Sequence, residues 1–186
     1  MTRVARLTAV SLATIILAGC AALPDDAPVV EQLDTDTGAT VTRLGRPIEL
    51  YRENFVQDAL GHFAFVGPFE VNQMGRRELF LWVAAPIESP PDAAPPTIEV
   101  NGKALTLDAP GRAADFAGLK NSPYKIPTPW ISMYYYKIDA GVVEALRDAH
   151  DLAVRVAEPV RDGTVRTLFA TPVGDDPRLR DFAARN

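Results

Sequence analysis

Cys20 is the single cysteine of the 186-residue chain, and with no second thiol it cannot close a disulfide within the chain. It follows Leu17-Ala18-Gly19 at the end of an apolar run that begins at Leu7, behind Arg3 and Arg6. A lone thiol beside small residues is suited to processing and thioether formation. The only histidines, His62 and His150, are the residues a metal site or a nucleophile–histidine pair would have to use. Neither stands in an H-x-x-x-H or G-x-S-x-G context, and both read as surface or edge residues. Asp34 and Asp36 are spaced like the opening residues of a calcium loop. The calcium pattern wants glycine sixth and glutamate twelfth, where this chain has Ala39 and Gly45. Glu49, Glu53 and Glu70 alternate with apolar residues and read as a solvated strand face. The aromatics Trp82, Trp130, Tyr134, Tyr135 and Tyr136 read either as core or as a platform for a ligand or partner. Tyr135 points opposite to its neighbours, so it is expected to show an aromatic ring to solvent. Trp130, Tyr134, Tyr135 and Tyr136 are the expected contact residues. No catalytic, cofactor-binding or metal-ligating residue is nominated.

The first twenty residues have the layout of a secretory signal: two positive charges, an apolar core of about 12 residues and small residues at the cleavage region. That core is short of the roughly 20 residues needed to span a bilayer. Leu17-Ala18-Gly19-Cys20 resembles the bacterial lipobox. The resemblance implies a diacylglyceryl thioether on Cys20, cleavage before it, and acylation of the new amino group. Two or more acyl chains make a durable membrane anchor. Lipoproteins kept in the inner membrane often carry Asp after the cysteine; Ala21 and Ala22 stand here, which implies the outer membrane, facing the periplasm. Asp36-Thr37-Gly38-Ala39 resembles the signature of retroviral-type aspartic proteases. It follows Asp34-Thr35 rather than an apolar strand, and the later Phe65-Val66-Gly67 runs into Pro68 and a strand rather than a helix. The segment reads as a polar turn feeding a strand at 39–43.

Charge narrows the partners. The whole chain carries a net −5, and loss of residues 1–19 removes two arginines, leaving 17 basic against 24 acidic residues, a net −7. An acidic, unclustered balance argues against nucleic acid and against lying on an anionic lipid surface. The expected organisation is a signal peptide at 1–19, a tether at 20–30 and a single domain at 31–186.

Within that domain period-two alternation dominates. Strands are expected at 39–43, 47–52 and 62–72, and at 78–85, a run apolar on both faces and so central to a sheet. Gly75 suits a hairpin turn. Residues 86–96, with five prolines, form a surface loop. Asn101-Gly102 between 97–100 and 103–107 is a type I′ hairpin signal. Residues 108–127 lack periodicity, and a loop of about 20 residues is often functional. A strand at 130–138 places Trp130, Tyr134 and Tyr136 on one face. Asp139 caps a helix at 140–149, and strands around 152–156 and 165–169 follow. Asp176-Pro177 opens a last helix, with Leu179 and Phe182 facing inward. The fold class is all-β: an antiparallel β-sandwich or partly open barrel with one or two short helices near the C-terminus.

The stretch from Asp36 to Arg52 resembles one in small uncharacterised proteobacterial lipoproteins, with a Thr-Gly turn, a Thr-Val-x-Arg strand, and Pro-apolar-x-apolar-aromatic-Arg. The pattern from Asp139 to Leu146, two strands and a terminal Leu-x-x-Phe is similar too. The resemblance implies a β-rich envelope lipoprotein and carries no assigned activity, so no functional residue transfers. The expected role is a non-enzymatic, lipid-anchored module that binds another envelope protein or a small apolar ligand, with no cofactor and no nucleic acid. A carboxylate-dependent envelope hydrolase and a structural subunit of an envelope assembly are the alternatives.

Overall fold

A computed structural model of the chain describes residues 27–52, 63–85, 94–125, 132–160 and 163–186. Cys20, Glu53, His62 and Trp130 lie outside the described residues, as do the signal peptide, most of the tether, and 86–93 of the proline loop.

Among the described residues the alternating segments form ten strands, every pair antiparallel. In chain order they are β1 (Val29–Asp34), β2 (Ala39–Leu44), β3 (Ile48–Arg52), β4 (Phe63–Gln73), β5 (Arg76–Ala85), β6 (Thr97–Val100), β7 (Lys103–Ala104), β8 (Ser132–Ile138), β9 (Asp151–Val160) and β10 (Gly163–Pro172). They make one open sheet in the order β1-β2-β4-β3-β10-β9-β6-β7, with β5 on the other edge of β4 and β8 beyond β5. Two short helices, α1 (Ala140–Arg147) and α2 (Pro177–Ala183), complete an all-β fold.

One edge of β4 carries two partners. Residues 69–72 pair with β2 and residues 63–66 with β3. Pro68, which has no N–H to donate, sits where that edge changes partner. On the opposite edge β4 pairs with β5 from Phe65↔Ala84 to Gln73↔Arg76.

β5 is buried from Phe80 to Ala85, as its unbroken apolar run requires. Register places Trp82 opposite Tyr135, and Leu81 and Val83 opposite Tyr136 and Tyr134. Phe69 stacks on Phe80 at 5.3 Å and meets Tyr135 edge-on at 6.4 Å. The segment after β7 covers this face. A 3₁₀ turn at Ala114–Ala117 ends at Gly118 in the left-handed region, and Ala114, Ala117, Leu119 and Tyr124 are buried. The aperiodic stretch from 108 onward is thus, over its described residues, a roof on the sheet.

The local signals act as physics requires. Asp139 accepts from the Val142 amide at 3.0 Å and starts α1, with Val143 and Leu146 buried. Asp176 accepts from the Arg178 amide at 2.8 Å with Pro177 in the first turn, and Leu179 and Phe182 are buried. Several boundaries differ from expectation. β1 begins at Val29, inside the stretch read as tether, because Val29 and Val30 find partners in Leu44 and Arg43. β7 stops at Ala104, after which Leu105 donates to Ile98 and the chain turns away. α1 ends at Arg147 rather than 149.

Candidate functional site

The tyrosine cluster expected to meet a ligand is core. Tyr134 and Tyr135 are fully buried and Tyr136 nearly so. The expectation that Tyr135 shows a ring to solvent is overturned: it does point opposite to its neighbours, but into the space beneath the 114–124 roof. Burial pushes its hydroxyl pKa up, opposed by the nearby Ser122 and Trp82 side chains. The Tyr136 hydroxyl donates to the Pro96 carbonyl at 2.7 Å, and burial raises its pKa too. The Tyr134 ring lies under the Arg112 guanidinium at 4.3 Å, a cation–π contact.

The polar candidates are also accounted for. Asp36 belongs to the turn between β1 and β2, where its amide donates to Asp34 Oδ1 at 3.0 Å and Gly38 takes a φ of 70°. The Lys120 amide reaches Asp34 Oδ2 at 3.4 Å, and Asn121 donates to Asp36 Oδ2 at 3.2 Å. These acids pin the roof segment to the turn. His150 is exposed; its amide donates to Asn101 Oδ1 at 2.7 Å, and its carbonyl accepts from Val173 and Gly174.

Carboxylates elsewhere are paired with cations. Glu70, expected on a solvated strand face, is instead buried, where it accepts from Arg77 Nε at 2.9 Å. Lys137, at 2.6 Å, and Arg76 hold the Glu78 carboxyl below its ordinary value. Burial works against ionisation of Asp176, but the Arg178 guanidinium and amide override it and lower its pKa. A general acid at neutral pH needs the opposite shift. Among the described residues no three His, Cys, Asp or Glu side chains gather to hold a metal ion.

An open cleft of about 490 Å³ lies on the outer face of β3, lined also by the end of β10 and the start of α2. In β3, Ile48 and Leu50 point inward while Glu49 and Tyr51 point out. Register sets Glu49 beside Phe65 and Tyr51 beside Phe63. Tyr51, 53% exposed, meets the exposed Phe63 edge-on at 5.5 Å. Lys125, Arg46 and Arg178 bring cations to the cleft, and Arg178 is bound to Asp176 at 2.6 Å. Exposed aromatic rings beside charges of both signs can hold a partner that offers apolar and polar groups together. Glu49 keeps the solvated position its alternation implied. Tyr51 and Phe63 were not nominated, although Tyr51 shares the parity of Glu49.

Comparison with models of protein families, with curated proteins and with solved structures finds no match to this chain.

Proposed function

We propose that this chain is a lipid-anchored binding module of the bacterial envelope, held through Cys20 in the outer membrane and facing the periplasm, where it contacts another envelope protein or a small apolar ligand. The lipobox resemblance at Leu17-Ala18-Gly19-Cys20 supports the anchor. The observation that carries the contact is the exposed Tyr51–Phe63 pair at the cleft on β3. Exposed aromatic area of this kind stabilises a complex more than it stabilises the free chain.

Two experiments test the two halves. Metabolic labelling with a palmitate analogue should mark the wild type, and equal labelling of Cys20→Ala removes the anchor from the proposal. A photoreactive side chain at Tyr51 in intact cells should capture a discrete partner or ligand that the same probe at Glu144, on the exposed side of α1, does not. Identical adducts at both positions remove the cleft.

A further inference from the structure

Among the described residues the open sheet ends on three strands, β1, β7 and β8. An uncovered edge offers its amides and carbonyls to another chain, and native edges are usually blunted against this. Two of the three are blunted here. β7 is two residues long and carries Lys103. β8 is bridged by Gly111, which exchanges both backbone bonds with Tyr135 at 2.9 Å. β1 instead runs six residues in unbroken register with β2, with no lysine, proline or bulge.

The phase of the ladder fixes what β1 presents. The Gly45 amide donates to the Pro28 carbonyl at 3.1 Å, one step before the Val29↔Leu44 pair. Bonded and non-bonded pairs alternate in an antiparallel ladder. Val30 and Gln32 therefore bond to β2, and the amides and carbonyls of Glu31 and Leu33 point away from it. The Leu33 side chain, 59% exposed, lies on that border. On the opposite face of β1 a crevice of about 110 Å³ opens between Gln32, Arg43 of β2 and the roof residues Leu119 and Asn121. Arg43 Nη1 donates to the Leu44 and Gly45 carbonyls, each at 2.9 Å, and among the described residues no carboxylate pairs with it. Asp34, also in the crevice, is turned to the amides of Asp36 and Lys120, and Asp36 lies 3.8 Å from Lys120 Nζ.

We propose that β1 is extended by a segment of a different protein, paired as a strand along Glu31–Leu33. An apolar side chain of that segment packs beside Leu33, and its sequence neighbour is acidic and enters the crevice against Arg43. An extended backbone is what satisfies a row of alternating amides and carbonyls. Successive residues of a strand point to opposite faces, so the apolar and acidic residues must be adjacent. A second copy of this chain does not fit. The self-pairing of longest overlap through the open groups sets Glu31 against Glu31 and Val30 against Gln32, and like charges directly opposite are destabilising. The proposal is independent of the cleft on β3.

A photoreactive residue in place of Glu31, which leaves Arg43 and the backbone intact, is to be compared in intact cells with one in place of Lys103. The captured segment is identified by mass spectrometry, synthesised as a peptide and titrated against the full chain. An adduct to another protein is expected from position 31 and not from 103, through a segment in which an acidic residue adjoins an apolar one. The peptide should slow hydrogen exchange of the Glu31 and Leu33 amides about tenfold or more. Replacing its acidic residue by the amide, which leaves this chain untouched, should weaken binding about tenfold. The proposal is overturned by the absence of a protein adduct at 31, by an adduct to a second copy, by the same adduct at 103, by amides that still exchange fast, or by equal binding of the amide peptide.

Discussion

The Tyr124 ring lies directly over Gly67: a β-carbon on Gly67 would come within 2.4 Å of Tyr124 Cε2. Above that contact the Tyr124 hydroxyl donates to the Pro68 carbonyl at 2.6 Å and accepts from the Leu44 amide at 3.2 Å. One phenol therefore bridges β2 and β4 where the edge of β4 changes partner. Its ring packs on Trp82 at 5.1 Å, with the Arg43 guanidinium 5.5 Å from its centre. Gly67→Ala should destabilise the fold by about 1–3 kcal/mol through overpacking. Tyr124→Phe should cost about 1–3 kcal/mol by orphaning two buried backbone groups. Urea denaturation of both variants checks this, and a shift below 0.5 kcal/mol in either contradicts the bridge.

Alkaline unfolding should follow from the same burial. Tyr124 and Tyr136 have pKa values pushed above the ordinary 10.0 by desolvation. A raised folded-state pKa means that the stability is fully present below pH 10 and is lost as pH climbs toward the folded value. Tyrosinate absorbance at 295 nm should show these two hydroxyls ionising only with loss of near-ultraviolet circular dichroism. Tyr136→Phe should move that transition to higher pH, and ionisation of all five tyrosines in the folded state would contradict it.

Acid should act with the opposite sign. Folded Glu78 and Asp176 titrate below their ordinary values of 4.5 and 3.8. Their contribution is present above those values and fades as pH falls through the lower folded ones. Stability should be level near neutrality and decline below about pH 4.5. Arg178→Met should flatten the acid limb, since Asp176 loses the partner that lowers it. An acid limb of unchanged slope in that variant would show that the pair does not contribute.

Asn101 and His150 should separate sharply on substitution. The Asn101 side chain serves the Asp148 carbonyl and the His150 and Asp151 amides while its backbone holds a positive φ. Asn101→Ala should cost about 1–3 kcal/mol. His150→Ala, which leaves those backbone bonds in place, should stay within about 0.5 kcal/mol. Thermal melts of the pair decide it, and a large loss in His150→Ala would give the imidazole a role that its exposed position does not suggest.

Much of the fold is legible in the sequence because the signals are local. Asn101-Gly102 and Gly75 mark turns through backbone geometry, Asp139 and Asp176-Pro177 mark helix starts, and the apolar run of β5 marks a strand covered on both faces. The site is less legible because exposure is a tertiary property. Parity sends the Tyr135 ring away from Tyr134 and Tyr136, but only the 114–124 segment, which has no periodicity to announce it, determines that this side is covered. Tyr51 shows the converse. Its alternation with Ile48 and Leu50 places it outward, yet an aromatic in a strand reads as core until the neighbouring elements prove not to reach it. The start of β1 was hidden for a third reason: Val29 and Val30 follow a proline-rich stretch, and only pairing with Leu44 and Arg43 makes them a strand.

The junction of β3 with β10 has a kinetic meaning. Arg52 pairs with Phe169 and Tyr51 with Ala170, partners separated by more than a hundred residues of chain, whereas the β1–β2 and β4–β5 pairings close over short turns. Closing so long a loop is entropically slow. The N-terminal strands can assemble while the sheet still has an unsealed border along β3, and that border stays open to a wrong strand until β10 arrives to occupy it.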